Sequence, residues 1–176
     1  MPINKGYLTA KTDKAADEVY TPAYAVMPII KYIKPNSIVW CPFDTENSEF
    51  VKCIREAGYE VIATHIDNNQ NFFDYEPEKY DVIISNPPYS IKDMILKRLN
   101  ELNKPYAMLL PLPTLQGQAR FKYLQGSQAL IFDKRINFFK DYETKQIQKG
   151  ISFATIYICK DFLPDGLIFE ELEVAV

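Results

Sequence analysis

The tetrapeptide Asn86-Pro87-Pro88-Tyr89 directly follows the apolar run at residues 81–85. The two prolines fix φ near about −65° and remove two backbone N–H donors, and Asn86 is pushed toward extended conformations because it precedes proline. The link between the strand and the next helix is therefore stiff and open. We expect the Asn86 side-chain oxygen and the carbonyl oxygens of Asn86 and Pro87 to be available as acceptors, beside an exposed Tyr89 ring.

Such a group of acceptors suits a flat substrate that carries an NH2 group. A conjugated amino nitrogen is a poor nucleophile because its lone pair is delocalised into the ring. If Asn86 and Pro87 accept both of its protons, the nitrogen is held in place and its lone pair faces an electrophile. Orientation of this kind supplies on the order of 7 kcal/mol in well-aligned model systems, and stacking on Tyr89 adds roughly 1–3 kcal/mol for a nucleobase.

After an apolar strand, this tetrapeptide resembles the catalytic motif of S-adenosylmethionine-dependent N6-adenine methyltransferases, and small enzymes of the phage or mobile-element type are the nearest look-alikes. The resemblance implies that S-adenosyl-L-methionine is the cofactor and that Asn86, Pro87, Pro88 and Tyr89 are the catalytic residues. It also implies direct methyl transfer without a covalent enzyme intermediate. The structural alternative is a rigid strand-to-helix turn with a surface tyrosine.

Alternating apolar runs and amphipathic segments predict a doubly wound α/β fold with a mostly parallel, Rossmann-like sheet. The clearest predicted strands are residues 37–41, 60–66, 81–85 and 106–112. Further β-rich runs at 129–132, 135–139 and 152–159 complete the sheet, and we expect the last two to pair as a hairpin. By the same resemblance, this C-terminal hairpin is antiparallel.

The first candidate cofactor residues are Tyr20, Thr21 and Pro22, at the start of an apolar segment that extends to about residue 33. Thr21 is a favourable N-cap and Pro22 suits the first helical position. By its place ahead of the first strand, this tripeptide resembles the leading cofactor motif of amino-methyltransferases, which implies contact with the methionine end of the cofactor. An ordinary helix start is the alternative.

The loop after the first strand carries Pro42, Phe43 and Asp44 and departs from the family pattern. Most methyltransferases have a Gly-x-Gly loop here, whereas this chain has no glycine between Gly6 and Gly58. Glycine lets the backbone approach a ligand closely, so the predicted pocket must be wider or differently shaped. Asp44 is a candidate acceptor for the amino group of the methionine moiety, or else one of several solvated acids.

Two further departures lie where the family binds the rest of the cofactor. The second predicted strand ends at His65 and Ile66. In the family an acidic residue at this point accepts both ribose hydroxyls, whereas the neutral imidazole of His65 can accept only one hydrogen bond. Asn71 and Phe72 resemble the family segment that contacts the adenine of the cofactor. In this chain the neutral Asn71 stands where that segment has an aspartate. His65 could equally be a structural residue, and a pair of core phenylalanines is the alternative for Phe72 and Phe73.

The candidate substrate-binding residues are Tyr89, Arg120 and Lys122. We expect Thr114 to cap a helix that carries the two cations. The polar loop at residues 140–150 is long for a hairpin, and loops of this size are often functional. Basic and aromatic groups near the substrate edge indicate a nucleic-acid contact. An ordinary solvated loop is the alternative.

The size and charge of the chain limit its partners. With 176 residues and 47% hydrophobic content, it is expected to have a flexible arm at 1–19 and one methyltransferase domain at 20–176, without a separate target-recognition domain. The formal net charge of −3 argues against strong autonomous DNA binding. Residues 117–150 are basic, with seven Lys/Arg against three Asp/Glu. Target choice would therefore depend on loops, a partner chain or an unpaired substrate.

Cysteine usage and hydropathy predict a cytoplasmic protein. Cys41, Cys53 and Cys159 are odd in number and widely spaced, which is typical of buried reduced thiols and gives no metal signature. The sequence lacks an apolar signal segment and a run long enough to span a membrane. We therefore predict neither a metal nor a membrane partner.

The sequence as a whole predicts methyl transfer to N6 of an adenine in DNA, with RNA a less favoured nucleic acid. The adenine would be flipped out or unpaired, since N6 is paired within the duplex. An RNA amino-methyltransferase acting on adenine or guanine is an open alternative, as is a protein-glutamine methyltransferase, although its usual helical substrate domain is absent. The last alternative is a catalytically lapsed methyltransferase-fold binding module.

Overall fold

A computed structural model describes residues 19–149, 151 and 153–174. The predicted arm at 1–19 therefore lies outside the described residues, apart from Val19. In the described part, helices alternate with strands through the first two thirds of the chain. The α-helices are α1 Ala23–Ile30, α2 Glu49–Glu56 and α3 Lys92–Leu102, and the strands are β1 Ile38–Cys41, β2 Glu60–Ala63, β3 Val82–Ser85, β4 Tyr106–Pro111, β5 Gln128–Phe132, β6 Thr155–Lys160 and β7 Leu167–Glu170.

The seven strands form one mixed sheet in the order β2-β1-β3-β4-β6-β5-β7. β1 pairs in parallel with both β2 and β3, and β3 pairs in parallel with β4. β6 runs against β4 and β5, whereas β7 is parallel to β5. Six of these strands thus share one direction, and the prediction of a mostly parallel α/β sheet is confirmed.

The chain changes direction across the sheet at β1. From β1 it moves outward to β2, and it then returns to β3 on the other side of β1. Loops that leave the carboxyl ends of β1 and β3 therefore diverge, which opens a crevice between them. The residues that follow β1, β2 and β3 must meet at this one edge of the sheet.

Alternating strand residues divide the interior into two apolar layers. Val39 and Cys41 of β1 face the layer that contains α1 and α2, and Trp40 faces the layer that contains α3. Both layers are well filled, with Trp40 and Ile83 fully buried at the centre of the sheet. Helices therefore cover both faces of the sheet and hold its carboxyl edge in a fixed shape.

Helix α2 has clear sequence determinants at both ends. The side chain of Ser48 caps its first turn by accepting a hydrogen bond from the Phe50 N–H at 3.2 Å. Gly58 lies at φ +91°, a conformation that favours glycine, and ends the helix one residue after Ala57. The N-terminus of α2 is thus fixed beside the loop that follows β1.

Two predicted features of the C-terminal half are wrong. Residues 135–139 form no sheet strand; within this run, Phe139 alone makes isolated bridges, to Tyr20 and Ile147. The predicted hairpin with 152–159 is therefore replaced by the antiparallel pair of β5 and β6, and β6 lies between β4 and β5. The helix expected after Thr114 is also wrong, because the described chain there forms only short 3₁₀ turns at Leu112–Leu115 and Phe121–Tyr123.

The three cysteines are buried and free, as predicted. Burial raises the pKa of the Cys53 thiol to about 11 and raises the pKa values of Cys41 and Cys159 well above the ordinary thiol value. Such thiols are protonated and unreactive at neutral pH. Among the helices in the described ranges, none is long and apolar enough to cross a membrane.

Candidate functional site

A cavity of about 620 Å³ lies at the carboxyl edge of the sheet, around the ends of β1, β2 and β3. Its volume falls within the range of small-molecule sites, roughly 300–1,000 Å³. Of the eleven predicted cofactor residues, ten line it, and the exception is Pro22 at the N-terminal boundary of α1. These ten are Tyr20, Thr21, Pro42, Phe43, Asp44, His65, Ile66, Asn71, Phe72 and Asn86.

Asn86 lies at the end of β3, and its two side-chain atoms have different surroundings. The Nδ2 amide donates a hydrogen bond to Thr21 Oγ1 at 3.1 Å. The Oδ1 atom is buried and has no hydrogen-bond partner in the part of the chain that the structure describes. An unsatisfied buried acceptor costs about 1–3 kcal/mol, which a ligand donor would recover.

Thr21 positions Asn86, which differs from its predicted role. The N-cap of α1 is Pro22, with no side-chain capping bond, so the expectation that Thr21 caps the helix is wrong. Its side chain is 2% exposed, and its hydroxyl instead accepts from Asn86 across 65 residues of sequence. This bond orients the Asn86 amide, so that Oδ1 is left without a protein partner.

Pro88 has the backbone that its ring predicts, with φ −59° and ψ 125°. Pro87 is buried, whereas Pro88 is half-buried and lines the cavity. The chain then enters a 3₁₀ turn, Tyr89–Ile91, before α3 begins. The strand therefore does not coil directly into the helix.

The prediction of an exposed Tyr89 ring is wrong. Tyr89 is only 2% exposed and packs edge-on against Phe153, with ring centroids 5.5 Å apart. Phe153 precedes β6, and this contact joins segments 64 residues apart in sequence. In this conformation Tyr89 therefore has almost no exposed surface on which a flat group could stack.

Arg120 and Lys122 lie outside the cavity wall. Arg120 forms an ion pair with the Asp93 carboxylate of α3 and donates to the Gln116 carbonyl oxygen at 2.7 Å. Lys122 is exposed, with its Nζ atom 4.9 Å from the Tyr123 ring centroid. The structure therefore does not bring these predicted substrate residues together with Asn86, and Arg120 has a structural partner.

Asp44 is a buried carboxyl group in the cavity wall, with only 7% of its surface exposed. The hydroxyl of Ser48 donates to Oδ1 and that of Ser85 donates to Oδ2, so Asp44 links the end of β1 to α2 and β3. Burial raises the pKa of Asp44 to about 6, although the two hydroxyls and His65 act in the opposite direction. Asp44 is therefore a buried carboxyl group held by two hydrogen bonds, and it is not one of several solvated acids.

His65 and Asn71 line the cavity, and each also accepts a hydrogen bond within a local turn. His65 Nδ1 accepts a hydrogen bond from the Asp67 N–H at 3.3 Å, and the exposed Asp67 also lines the cavity. Asn71 Oδ1 accepts from the Phe73 N–H at 3.1 Å. A carboxylate is thus present near the predicted ribose position, two residues after the expected one.

Phe72 and Phe73 both line the cavity but differ in how much of their surface is exposed. Phe72 is 2% exposed and packs against Trp40 and Phe43 at centroid distances of 5.4 Å and 5.0 Å. Phe73 is half-buried and lines the cavity. Of the two, Phe73 is thus the one with surface left for a ligand ring.

Two aromatic residues at the site, Tyr142 and Phe153, are not among the residues predicted from the sequence. Tyr142 lies in the long loop that was singled out as a nucleic-acid contact, but it reaches the cavity wall instead. Its ring centroid lies 4.6 Å from that of Tyr20, and its hydroxyl accepts from the Glu49 N–H at 3.4 Å. The only sequence signal for either residue was an aromatic side chain near the polar loop.

Replacing Thr21 with valine tests how Asn86 is positioned. Valine keeps the shape of threonine but removes the acceptor for Asn86 Nδ2, so the amide is free to rotate. If the site acts on a substrate, we expect kcat to fall by about tenfold while the melting temperature changes little. Steady-state kinetics measure kcat, and thermal unfolding of the same variant measures the melting temperature. An unchanged kcat would contradict the proposal that Thr21 positions Asn86.

No group of three or more His, Cys, Asp or Glu side chains suited to hold a metal ion occurs among the residues that the structure describes. The candidate site consists instead of hydrogen-bonding groups, two carboxylates and aromatic rings around one cavity. No protein-family model and no curated protein matches this sequence.

Proposed function

We propose that this chain is an S-adenosylmethionine-dependent methyltransferase that modifies N6 of adenine in DNA, on a doubly wound, Rossmann-like sheet. The observation that carries the proposal is the buried, unpartnered Oδ1 of Asn86 at one end of a cavity of about 620 Å³. The reversal of strand order at β1 supports it, because ligands of open α/β sheets bind at such a point.

The residues in the cavity wall fit the proposed cofactor. Asp44 would accept from its amino group beside Tyr20 and Thr21, Asp67 and His65 would bind the ribose hydroxyls, and Phe73 would flank the adenine. When bound, S-adenosylmethionine supplies an electrophilic methyl group on a sulfonium centre.

On the substrate side, Asn86 and Pro87 hold the amino group. Asn86 Oδ1 and the Pro87 carbonyl oxygen accept its two protons, and the rigid prolines keep the two acceptors fixed relative to each other. The proton released on transfer passes to water or through these same oxygens, so no general base is assigned.

Tyr89 and Phe153 control access for the base. In the described conformation Tyr89 is buried, and its ring makes a T-shaped contact with that of Phe153. A target adenine would displace Phe153 and then stack on Tyr89, a contact worth roughly 1–3 kcal/mol. The basic segment at 117–150 is the best candidate for phosphate contacts.

Calorimetry with S-adenosylmethionine, followed by transfer of labelled methyl groups, tests the proposed function. We expect binding, and transfer to adenine in DNA in preference to RNA. No detectable binding at millimolar cofactor would contradict every enzymatic function considered for this chain. Transfer to RNA alone would retain the reaction and change the substrate to RNA.

A second function, a methyltransferase-fold binding module without turnover, is favoured by one observation. Tyr89 is buried under Phe153, which is the arrangement expected of a site that no longer admits a base. This function requires that no methyl group is transferred to any nucleic acid, and a module that has also stopped binding the cofactor would show no binding in the calorimetry. The same two measurements therefore separate it from the enzyme.

A further inference from the structure

Two tyrosine rings and a buried carboxyl group line the cavity near the N-terminus of α2. Tyr20 and Tyr142 meet with their planes at 65° and their centroids 4.6 Å apart, and Asp44 lines the same cavity. The sequence predicts that Tyr20 and Asp44 contact the methionine end of the cofactor, and it predicts no individual role for Tyr142. The faces of aromatic rings carry a partial negative charge, and an ionised carboxyl group carries a full one. All three groups therefore favour a positively charged ligand.

Tyr142 is held in this position by contacts at both ends of its segment. Tyr20 and Phe139 exchange two backbone hydrogen bonds, of 3.0 Å and 2.9 Å, which brings the 139–149 segment to the cavity. The Tyr142 hydroxyl accepts from the Glu49 N–H at the start of α2. The ring is therefore fixed before any ligand binds.

The charge of the cavity wall points in the same direction. Its lining in the described chain includes two carboxylates, Asp44 and Asp67, and no lysine or arginine. Outside the lining, Lys52 has its Nζ atom 5.7 Å from the Tyr142 ring centroid and 3.8 Å from the Glu49 carboxylate. Lys52 is not part of the cavity lining, so His65 is the one lining residue of the described chain that can carry a positive side-chain charge, and it does so only when protonated.

We propose that Tyr20, Tyr142 and Asp44 form a cation-recognition wall that selects a ligand with a positive charge at this end of the cavity. The inference rests on the proposed function and makes it more specific. S-adenosylmethionine carries two candidate charges, an ammonium and a sulfonium. Transfer of the methyl group converts the sulfonium to a neutral thioether, so a wall that holds this charge favours the cofactor over the product.

Three ligands of graded charge test the wall by calorimetry. S-adenosylmethionine carries both cations, S-adenosylhomocysteine only the ammonium, and 5′-methylthioadenosine neither. The variants are Tyr142→Leu, which removes the aromatic ring, and Tyr142→Phe, which keeps the ring and removes the hydroxyl. Gln146→Ala, at an exposed neutral position of the same segment, is the matched control.

We expect Tyr142→Leu to weaken S-adenosylmethionine binding by about fivefold or more, and to change 5′-methylthioadenosine binding by less than about twofold. Gln146→Ala should bind as the wild type does, whereas Tyr142→Phe, which keeps the ring and loses the hydroxyl contact with Glu49, should lose less affinity for S-adenosylmethionine than Tyr142→Leu. A loss restricted to S-adenosylmethionine assigns the sulfonium to the wall, and an equal loss for S-adenosylhomocysteine assigns the ammonium.

Two results would overturn the inference. If the wild type binds and Tyr142→Leu weakens all three ligands equally, or none of them, the ring provides packing without charge recognition. If the wild type binds none of the three, the proposed function is itself contradicted and the inference falls with it. Thermal unfolding of each variant shows whether a loss of binding reflects a loss of folded protein.

Discussion

Replacing Asn86 with alanine is expected to lower the rate of methyl transfer by at least about a hundredfold, while S-adenosylmethionine affinity changes by less than about threefold. The reason is that Oδ1 is the unpartnered acceptor of the site and acts on the substrate, whereas the cofactor is held mainly by other residues. Single-turnover transfer of labelled methyl groups gives the rate, and calorimetry gives the affinity.

The Asn86→Asp variant is the closest comparison, because it keeps an acceptor oxygen at Oδ1 and replaces the amide NH2 with a second carboxylate oxygen, which also adds a negative charge. We expect its rate to lie between those of the wild type and Asn86→Ala. Stability should change little in the alanine variant, since losing the hydrogen bond to Thr21 is offset by removing a buried unsatisfied oxygen. Alanine at this position with undiminished transfer would refute the role of Asn86.

The sheet and the cavity wall were largely predictable from local patterns. Short apolar runs such as the one that became β1 have few alternatives to a buried strand, and Gly58 marks the end of α2 by its positive φ. Because parallel strands end at one edge, residues placed after predicted strands had to converge there. Asp44, His65 and Asn86 therefore line the same cavity without any direct sequence link among them.

The errors arose where a distant segment decided the outcome. Tyr89 is buried because Phe153 packs on it, and Thr21 binds Asn86 instead of capping α1. The run at 135–139 has the composition of a strand. However, β6 pairs with β4 on one side and with β5 on the other, so no position next to β6 remains for this run. Such contacts depend on tertiary packing, which overrides local propensity.

The loop at 140–149 illustrates a partial success. Its length indicated function, and its charges indicated a nucleic-acid contact. Neither property could show that Tyr142 reaches the cavity, because this depends on the backbone bridge between Tyr20 and Phe139. The sequence therefore predicts that this loop is long and polar, but only the folded structure shows that the loop lies against the cavity.

The second large effect concerns Asp44, whose replacement by asparagine should change how stability depends on pH. Burial raises the pKa of the folded-state carboxyl from 3.8 to about 6. Between these values the unfolded chain is ionised while the folded protein retains its proton, so the free energy of unfolding falls as pH rises. The Asp44 contribution is therefore fully present below about pH 4 and lost above about pH 6, a change on the order of 3 kcal/mol.

Urea unfolding of the wild type and Asp44→Asn at about pH 4 and about pH 7.5 isolates this contribution, because other titrating groups cancel in the difference. We expect the variant to gain stability relative to the wild type as pH rises. Ser85→Ala removes a hydroxyl that lowers the Asp44 pKa, so it should strengthen the pH dependence. Parallel stability curves for wild type and Asp44→Asn would contradict the assignment.

Cofactor binding should depend on pH in the opposite direction to stability. The ionised carboxylate of Asp44 attracts a cationic ligand, so S-adenosylmethionine affinity in the wild type should rise as pH increases through about 6 and reach a plateau above it. In Asp44→Asn this rise should disappear, and affinity above pH 6 should fall by about tenfold or more. The chain would then keep a destabilising buried charge at neutral pH because that charge binds the ligand. Calorimetric titrations across the same pH range measure the S-adenosylmethionine affinity of both proteins. An equal rise in affinity in the wild type and in Asp44→Asn would assign the pH dependence to another group.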